Sequence, residues 1–169
     1  AYGHGKGGAG DGPSRGIFGG HSHVGTMVYL GNNWPQEYRN NLYTNNLHGK
    51  QLNREFLQRF DSGYLAHSYG RDQLFVDDNE YLAVNLKYGP DGAVYSIDWA
   101  DKQHCHVNNW NVWDRSNGGI YRMQWQETFK PVSVSDLASL PIKELVNFLD
   151  HDNEWYSRMA QHNLRQRAA

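Results

Sequence analysis

The sequence predicts a mainly β protein that ends in a short α-helical segment. The 169 residues include eleven Tyr, six Trp and eighteen Gly. Chains rich in aromatic residues and glycine favour β-sheets joined by tight turns. Short apolar runs in the first three quarters of the chain alternate with polar residues at the period of two that is typical of strands. After Pro131 the apolar residues recur at helical spacing instead.

Composition narrows the classes of function. A formal net charge of −2 gives no electrostatic attraction to nucleic acid or to an acidic membrane, so we expect no nucleic-acid partner. No apolar run approaches the ~18 residues of a transmembrane helix. Cys105 is the single cysteine, which excludes a disulfide within the chain. Because the chain opens on Ala1 and not on Met, we expect it to come from the interior of a longer protein.

The first segment, 1–20, is predicted to be a Gly-rich loop. Glycine occupies nearly half of its positions, together with Pro13 and Ser14. A phosphate-binding loop would need Gly-Lys-Ser/Thr between a strand and a helix, and this pattern is absent. A loop is therefore the favoured interpretation.

The next stretch predicts four short strands joined by tight turns. These strands are 27–30, 42–47, 51–57 and 63–69. Turn signals separate them, namely the cluster at 31–35, the pair at 48–49 and the triplet at 61–63. Four strands within ~45 residues match the size of one β-propeller blade.

A second set of strands predicts a neighbouring blade. Residues 82–88 alternate apolar and polar side chains, and the Gly-Pro-Asp-Gly turn at 89–92 leads into a returning strand at 93–99. A polar loop over 101–117 precedes a last strand at 118–125. Residues 21–125 are thus predicted to form two blades, and 126–135 a linker.

Residues 136–169 are predicted to form two helices. Pro141 suits a first helical turn, and Ile142, Leu145, Val146 and Leu149 share one helical face. Asp152 or Asn153 is a suitable cap for the second helix. This segment is typical of the start of a helical repeat.

Several motifs in combination resemble one protein family. They are the run Gly-His-Ser-His-Val-Gly-Thr-Met-Val-Tyr-Leu-Gly-Asn-Asn-Trp-Pro from position 20, Asn-Asn-Leu-His-Gly at 45–49, Asn-Leu-Lys-Tyr-Gly-Pro-Asp-Gly at 85–92, Asp-Trp-Ala-Asp at 98–101 and Asp-Arg-Ser-Asn-Gly-Gly-Ile-Tyr-Arg at 114–122. Together they resemble the planctomycete-type (PVC-type) membrane-bound dehydrogenase-like proteins. Residues 145–169, with Asn-Glu-Trp-Tyr-Ser-Arg at 153–158, are similar to the first HEAT helices of that family.

The resemblance implies the last blades of a six-bladed, glucose/sorbosone dehydrogenase-like β-propeller, followed by HEAT repeats. It implies a periplasmic or cell-surface protein that oxidises a sugar or polyol and passes electrons to a cytochrome c module, with its haem c, outside this chain. Membrane association would come only through parts outside this chain. A non-catalytic propeller–HEAT scaffold that binds carbohydrate or protein is the alternative.

Relatives that bind pyrroloquinoline quinone (PQQ) suggest cofactor positions. Aligned with them, His48 falls on a cofactor-contacting Lys, so Asn45 and His48 become cofactor-binding candidates, and His21 and His23 come near a pocket-lining segment. The Arg-x-Arg that clamps the quinone carboxylates in those relatives falls on Glu80 and Leu82. Replacing two cations by an acidic and an apolar residue disfavours a tricarboxylate cofactor.

The first histidine cluster has three interpretations. His21 and His23 are two residues apart and would project to the same side of a strand. With His48 they are catalytic candidates, one of them removing a hydroxyl proton as hydride leaves. Imidazoles at this spacing also suit a metal such as zinc, copper or iron. The third interpretation is hydrogen bonding to loop backbone at a blade edge.

Two further groups offer weaker metal candidates. His104 and His106 flank Cys105 in the polar loop, where either metal ligation or surface hydrogen bonding is expected. Asp98 and Asp101 follow a strand end, where carboxylates bind Ca²⁺ or cap a turn. Capping is the commoner outcome for such residues.

Overall fold

The structure is a computed structural model that describes residues 23–47, 49–69, 73–78, 80–99, 111, 114, 116–134 and 136–168. Two antiparallel sheets and a C-terminal pair of helices make up the described part. The prediction of a mainly β protein ending in a helical segment is therefore confirmed.

The first sheet contains five strands in the order β1-β2-β3-β4, with β5 beside the start of β3. Its strands are His23–Val28 (β1), Asn41–Asn46 (β2), Gln51–Phe60 (β3), Gly63–Ser68 (β4) and Leu74–Phe75 (β5). The first four follow one another as an antiparallel meander. Each overlaps a strand predicted from the alternating pattern, whereas the two-residue β5 was not predicted.

A β-bulge in β1 depends on Gly25. The register with β2 shifts between Val24 and Met27, so β1 carries one extra residue at this point. Gly25 has φ +62°, the left-handed conformation typical of glycine in such bulges. A Cβ on Gly25 would lie 2.7 Å from Asn85 Cα and 2.9 Å from Leu86 N. Only glycine therefore lets β1 pass this close to the backbone of the second sheet.

We expect Gly25→Ala to lower the free energy of unfolding by about 3 kcal/mol, because left-handed backbone costs about 1–2 kcal/mol in a residue with a Cβ and overpacking adds about 1–3 kcal/mol. Urea unfolding followed by tryptophan fluorescence measures the change. Gly63→Ala is the matched control, since its nearest neighbour would lie 3.9 Å away. Equal unfolding midpoints for the two variants would contradict this explanation.

The second sheet has three strands in the order β6-β7-β8. They are Ala83–Tyr88 (β6), Val94–Asp98 (β7) and Ile120–Met123 (β8). The predicted hairpin turn between β6 and β7 is confirmed: Gly92 N donates to Gly89 O at 3.0 Å, and Gly92 has φ +72°. Asp91 Oδ1 accepts a hydrogen bond from Ala93 N at 3.1 Å and braces the same turn.

Two helices follow the sheets: Ile142–Asn147 (α1) and Glu154–Ala168 (α2). Their packing depends on a small apolar core of Leu137, Leu145, Tyr156 and Ala160. Only part of the predicted apolar face of α1 is buried, because Leu145 is inaccessible while Ile142 and Val146 are at least half exposed. Asn153 confirms the predicted cap, since its Oδ1 accepts from Trp155 N at 3.1 Å.

The described chain divides into two compact units that do not follow chain order. The first unit takes its described residues from 23–28, 40–87 and 95–121. The second takes them from 29–39, 88–94 and 122–168. The Gly-Asn-Asn-Trp-Pro turn at 31–35, predicted only as a connection between strands, therefore belongs to the same unit as the helices.

Tyr29 is the hydrogen-bonding centre of the second unit. Its side chain is fully buried, and its hydroxyl donates to Gly92 O at 2.7 Å. The same oxygen accepts from Asn33 N at 3.0 Å and Trp34 N at 2.8 Å. One tyrosine thus fixes the 31–35 turn and the 89–92 hairpin within this unit. Burial raises the pKa of Tyr29 above its usual value, so the hydroxyl stays protonated as a donor.

Candidate functional site

The candidate site is the end of the first sheet at which β1 begins and β2 turns into β3. The β1–β2 register pairs His23 with Asn46, and the β2–β3 register pairs Asn46 with Gln51. Gln51 in turn pairs with Phe75 of β5. Directly opposed residues project from the same face of a sheet. These four side chains therefore form one row across four strands.

The two central members of this row are polar and buried, and the two outer members, His23 and Phe75, are exposed. Asn46 and Gln51 are each 1% exposed, while His23 at the edge is exposed to solvent. Asn46 Oδ1 accepts from Gly49 N at 2.9 Å, and a Cβ on Gly49 would lie 2.8 Å from Asn46 Cγ. The described part of the 47–50 turn is thus packed directly on the row. Sequence reasoning missed Asn46 and Gln51, because asparagine and glutamine beside a turn give no sequence signal of burial.

Asn45 lies on the opposite face of β2, between the two sheets of the first unit. It is fully buried, and its Nδ2 donates to Asn85 O at 3.1 Å and Ser96 Oγ at 3.3 Å. Its Oδ1 accepts no hydrogen bond within the described part of the chain. Asn45 therefore links the sheets through its amide nitrogen. The predicted role of Asn45 in holding a cofactor stays a prediction.

The segment of Glu80 does not fit PQQ. Glu80 is half-buried, and its backbone N donates to Asp78 Oδ1 at 2.8 Å, so two carboxylates lie in this segment. Leu82 is fully buried. Lys50 supplies one cation, whose Nζ donates to Asp78 O at 2.9 Å. A tricarboxylate needs cationic partners that outnumber the local anions, and these residues do not provide them.

Most of the predicted histidine ligands fall outside the described residues. This holds for His21, His48, His104 and His106. Over the described ranges, no group of three or more His, Cys, Asp or Glu side chains is placed to hold a metal ion. The catalytic and metal-binding roles of these histidines stay predictions, and His23 is the member of the first cluster whose position is known.

Asp98 organises the end of the second sheet. Its carboxylate is mostly buried, with Oδ1 accepting from Gly119 N at 2.6 Å and Oδ2 accepting from Tyr121 OH at 3.1 Å. The ring of Tyr121 meets that of Tyr81 edge to face at 5.4 Å. Asp98 therefore joins the end of β7 to the segment that enters β8, and its predicted roles in capping the following turn or binding Ca²⁺ stay predictions. Asp101 lies outside the described residues.

This cluster predicts a loss of stability at alkaline pH. Burial raises the pKa of Tyr81 above its usual 10.0, and the charge of Asp98 raises it further. Burial and the hydrogen bond to Asp98 likewise raise the pKa of Tyr121. A raised folded-state pKa contributes stability that is complete below pH 10 and is lost as the pH rises through the folded value. We therefore expect the urea midpoint to fall above about pH 10.

The measurement is a series of urea midpoints between about pH 8 and pH 11, bracketing the usual tyrosine pKa. Tyrosinate absorbance at 295 nm is recorded in parallel. Tyr81→Phe is expected to flatten the pH dependence, because one buried phenol then no longer titrates. A midpoint that stays constant through pH 11, or an unchanged slope in Tyr81→Phe, would show that these phenols are not protected by the fold.

Comparison with known proteins gives no relative: no family model, no curated protein and no solved structure matches the chain. None of the helices in the described ranges combines the length and the apolar composition needed to cross a membrane.

Proposed function

We propose that the chain is part of a glucose/sorbosone dehydrogenase-like propeller protein that oxidises a sugar or polyol at the periplasmic or cell-surface side. In this proposal the electrons pass to a cytochrome c module outside the chain, and α1 and α2 begin a HEAT-like segment. The two sheets of the first unit are taken as neighbouring blades.

The arrangement of the sheets supports the blade assignment. β1 to β4 form a four-stranded antiparallel meander, which is the unit from which propellers are built. Neighbouring blades pack face to face, and Asn45 of the first sheet reaches Asn85 and Ser96 of the second. The close approach of Gly25 in β1 to the backbone of Asn85 in β6 is a second contact between the two sheets.

The observation that carries the proposal is the position of His23. It is an exposed imidazole at the start of β1, paired across the strand with Asn46, which precedes His48 by two residues in the sequence. The neighbouring amides of Asn46 and Gln51 are 1% exposed, so they support the sheet end beside the imidazole and leave His23 as the group that meets a substrate. A histidine at the rim of such a row suits general-base catalysis near neutral pH.

The chemistry follows from that position. In this proposal the imidazole of His23 takes the proton of a substrate hydroxyl, and the carbon that bears this hydroxyl gives its hydride to a two-electron redox cofactor held by the parent protein outside this chain. The alcohol thus becomes a carbonyl, and the haem of the cytochrome module would reoxidise that cofactor. Since the segment of Glu80 does not fit PQQ, no step is assigned to that quinone.

A dye-reduction assay of the full-length parent protein against a panel of sugars and polyols tests the proposal. The assay is run without additions, with PQQ and with divalent metals. Sugar-dependent dye reduction is the expected result. No turnover under any condition, with circular dichroism showing a folded protein, would exclude the oxidation.

A specific observation favours a second candidate, a non-catalytic propeller–HEAT scaffold that binds carbohydrate or protein. Glu80 and Leu82 stand at the positions of the quinone clamp, Leu82 is fully buried, and Asp78 adds a second carboxylate beside Glu80. The dye-reduction assay distinguishes the two candidates. The scaffold binds sugar or a protein partner and reduces no dye, whereas the dehydrogenase binds sugar and reduces the dye.

A further inference from the structure

The second unit contains a cavity of about 390 Å³ whose lining residues all belong to that unit. Its size falls within the range of about 300–1,000 Å³ that is usual for small-molecule sites. The polar groups that matter for recognition come from separate segments of the chain: Asn32, Asp91, Glu127, Lys130, Ser133 and His151. Pro90, Pro131 and Tyr156 add apolar surface.

The walls of this cavity are held in place by hydrogen bonds around Asn33. Its Oδ1 accepts from Trp125 N at 2.8 Å, and its Nδ2 donates to Trp125 O at 3.0 Å. Its backbone oxygen accepts from Thr128 Oγ1. The loop of Asn32 is thereby joined to the segment that carries Glu127 and Lys130. The cavity is preformed, which lowers the entropic cost of binding.

His151 has one ring nitrogen already in use. Its Nδ1 accepts a hydrogen bond from Asn153 N at 2.9 Å, so the neutral ring carries its proton on Nε2. The ring contacts Tyr156 at 4.5 Å and Phe148 at 5.8 Å between centroids. These contacts fix the imidazole at the cavity wall and leave the Nε2–H as a donor.

The other polar lining groups have both signs of charge. Within the described ranges, the side chains of Asn32, Glu127, Lys130 and Ser133 make no hydrogen bond or ion pair with one another or with any other residue. They supply carboxylate and amide acceptors as well as ammonium, amide and hydroxyl donors. The lining can therefore satisfy a ligand that offers both donors and acceptors.

The charges around the cavity balance. Asp91 lies 3.9 Å from the guanidinium of Arg122, and Glu127 is matched by Lys130 on the same wall. Arg122 lies outside the lining and offsets the charge of Asp91, so a bound anion would meet the carboxylate of Glu127 and a bound cation the ammonium of Lys130. An uncharged ligand avoids both repulsions.

We propose that this cavity binds an uncharged, polyhydroxylated small molecule, a monosaccharide or a polyol. Hydroxyl groups donate and accept at once, as the mixed lining requires, and the proline and tyrosine surfaces suit the apolar faces of a sugar ring. This binding site does not depend on the proposed oxidation, because it needs no redox group and includes no residue of the first unit.

The test is a titration of the chain with D-glucose and D-sorbitol as probes, followed by calorimetry and by NMR of the histidine ring protons. Acetate and ethylammonium serve as charged probes of small size. Saturation by a neutral probe at millimolar concentration, with a shift of the His151 signals, is the expected result. Lys130→Ala and Glu127→Ala are each expected to weaken binding about 10-fold, the loss of one hydrogen bond to a charged group.

Lys143→Ala and Glu144→Ala on α1 are the matched controls, being exposed residues of the same charge outside the cavity lining. No saturation by either neutral probe below about 50 mM, well above the millimolar affinities expected, would overturn the proposal. Tighter binding of acetate or ethylammonium than of the neutral probes would also overturn it. The same holds if the α1 variants lose as much sugar affinity as Lys130→Ala and Glu127→Ala. A parent protein that binds sugar in this way but reduces no dye would contradict only the oxidation. Dye reduction without binding at the cavity would contradict only this site.

Discussion

Tyr29→Phe is expected to lower the free energy of unfolding by about 3–9 kcal/mol, because it leaves three buried polar groups without their partner at about 1–3 kcal/mol each. The groups are the backbone N–H of Asn33 and of Trp34 and the carbonyl of Gly92. Almost no volume is lost, so the change isolates the hydrogen bonds from packing. A loss of this size approaches the whole stability of a small domain.

A graded tyrosine series provides the controls for this variant. Tyr64 is 63% exposed, and Tyr156 makes a single hydroxyl bond, to Val134 O at 2.9 Å. We expect Tyr64→Phe to change stability by less than about 0.5 kcal/mol and Tyr156→Phe by about 1 kcal/mol. Urea midpoints should therefore fall in the order Tyr64→Phe, Tyr156→Phe, Tyr29→Phe. A Tyr29→Phe protein as stable as the wild type would show that the hydroxyl is not a structural centre.

His23→Ala is expected to lower kcat/KM for sugar oxidation by the parent protein by about 100-fold or more, the usual contribution of a general base. The side chain is exposed at the start of β1, where a substitution changes stability by less than about 0.5 kcal/mol. A loss of activity would therefore reflect chemistry and not unfolding. The assay is steady-state dye reduction over a range of pH.

His162→Ala is the control for this variant, because His162 is an exposed histidine of α2. It should keep the activity and the pH profile of the wild type. If His23→Ala and His162→Ala are equally active, His23 is not the base, and hydrogen bonding at a blade edge becomes the better explanation of its place.

The parts of the fold that the sequence predicted are those with a local signal. Alternation over 82–88 marked β6, and the Gly-Pro-Asp-Gly turn marked the hairpin with Gly92 in its left-handed conformation. Period two and turn chemistry involve near neighbours in the chain, so one sequence suffices to recognise them. The cap at Asn153 was recognisable for the same reason.

The parts that the sequence did not predict depend on long-range contacts. Asn33 binds Trp125 across 92 positions, and Asn153 Nδ2 donates to Gly89 O across 64. No periodicity reports such pairs, so the 31–35 turn was interpreted as a simple connection. The cavity was missed because its walls come from four separate segments. Exposure of half the α1 face was missed because helical spacing shows which residues share a face and not what covers it.

One residue of the candidate site could be singled out from the sequence, because the spacing of histidines is itself a chemical signal. Histidine spacing pointed to His23, and the structure places that residue at the rim of a sheet. The buried amides of Asn46 and Gln51 carry no such signal, because asparagine and glutamine are also the usual residues of turns and surfaces. Their burial depends on which face of the strand is covered, and this depends on the tertiary fold.

The most direct measurement is the rate of dye reduction by the parent protein with a sugar or polyol carrying deuterium on the carbon that is oxidised, compared with the unlabelled substrate. The account predicts sugar-dependent reduction, a primary isotope effect on kcat/KM and loss of both in His23→Ala. A folded protein that binds the substrate but transfers no hydride to any acceptor would contradict it.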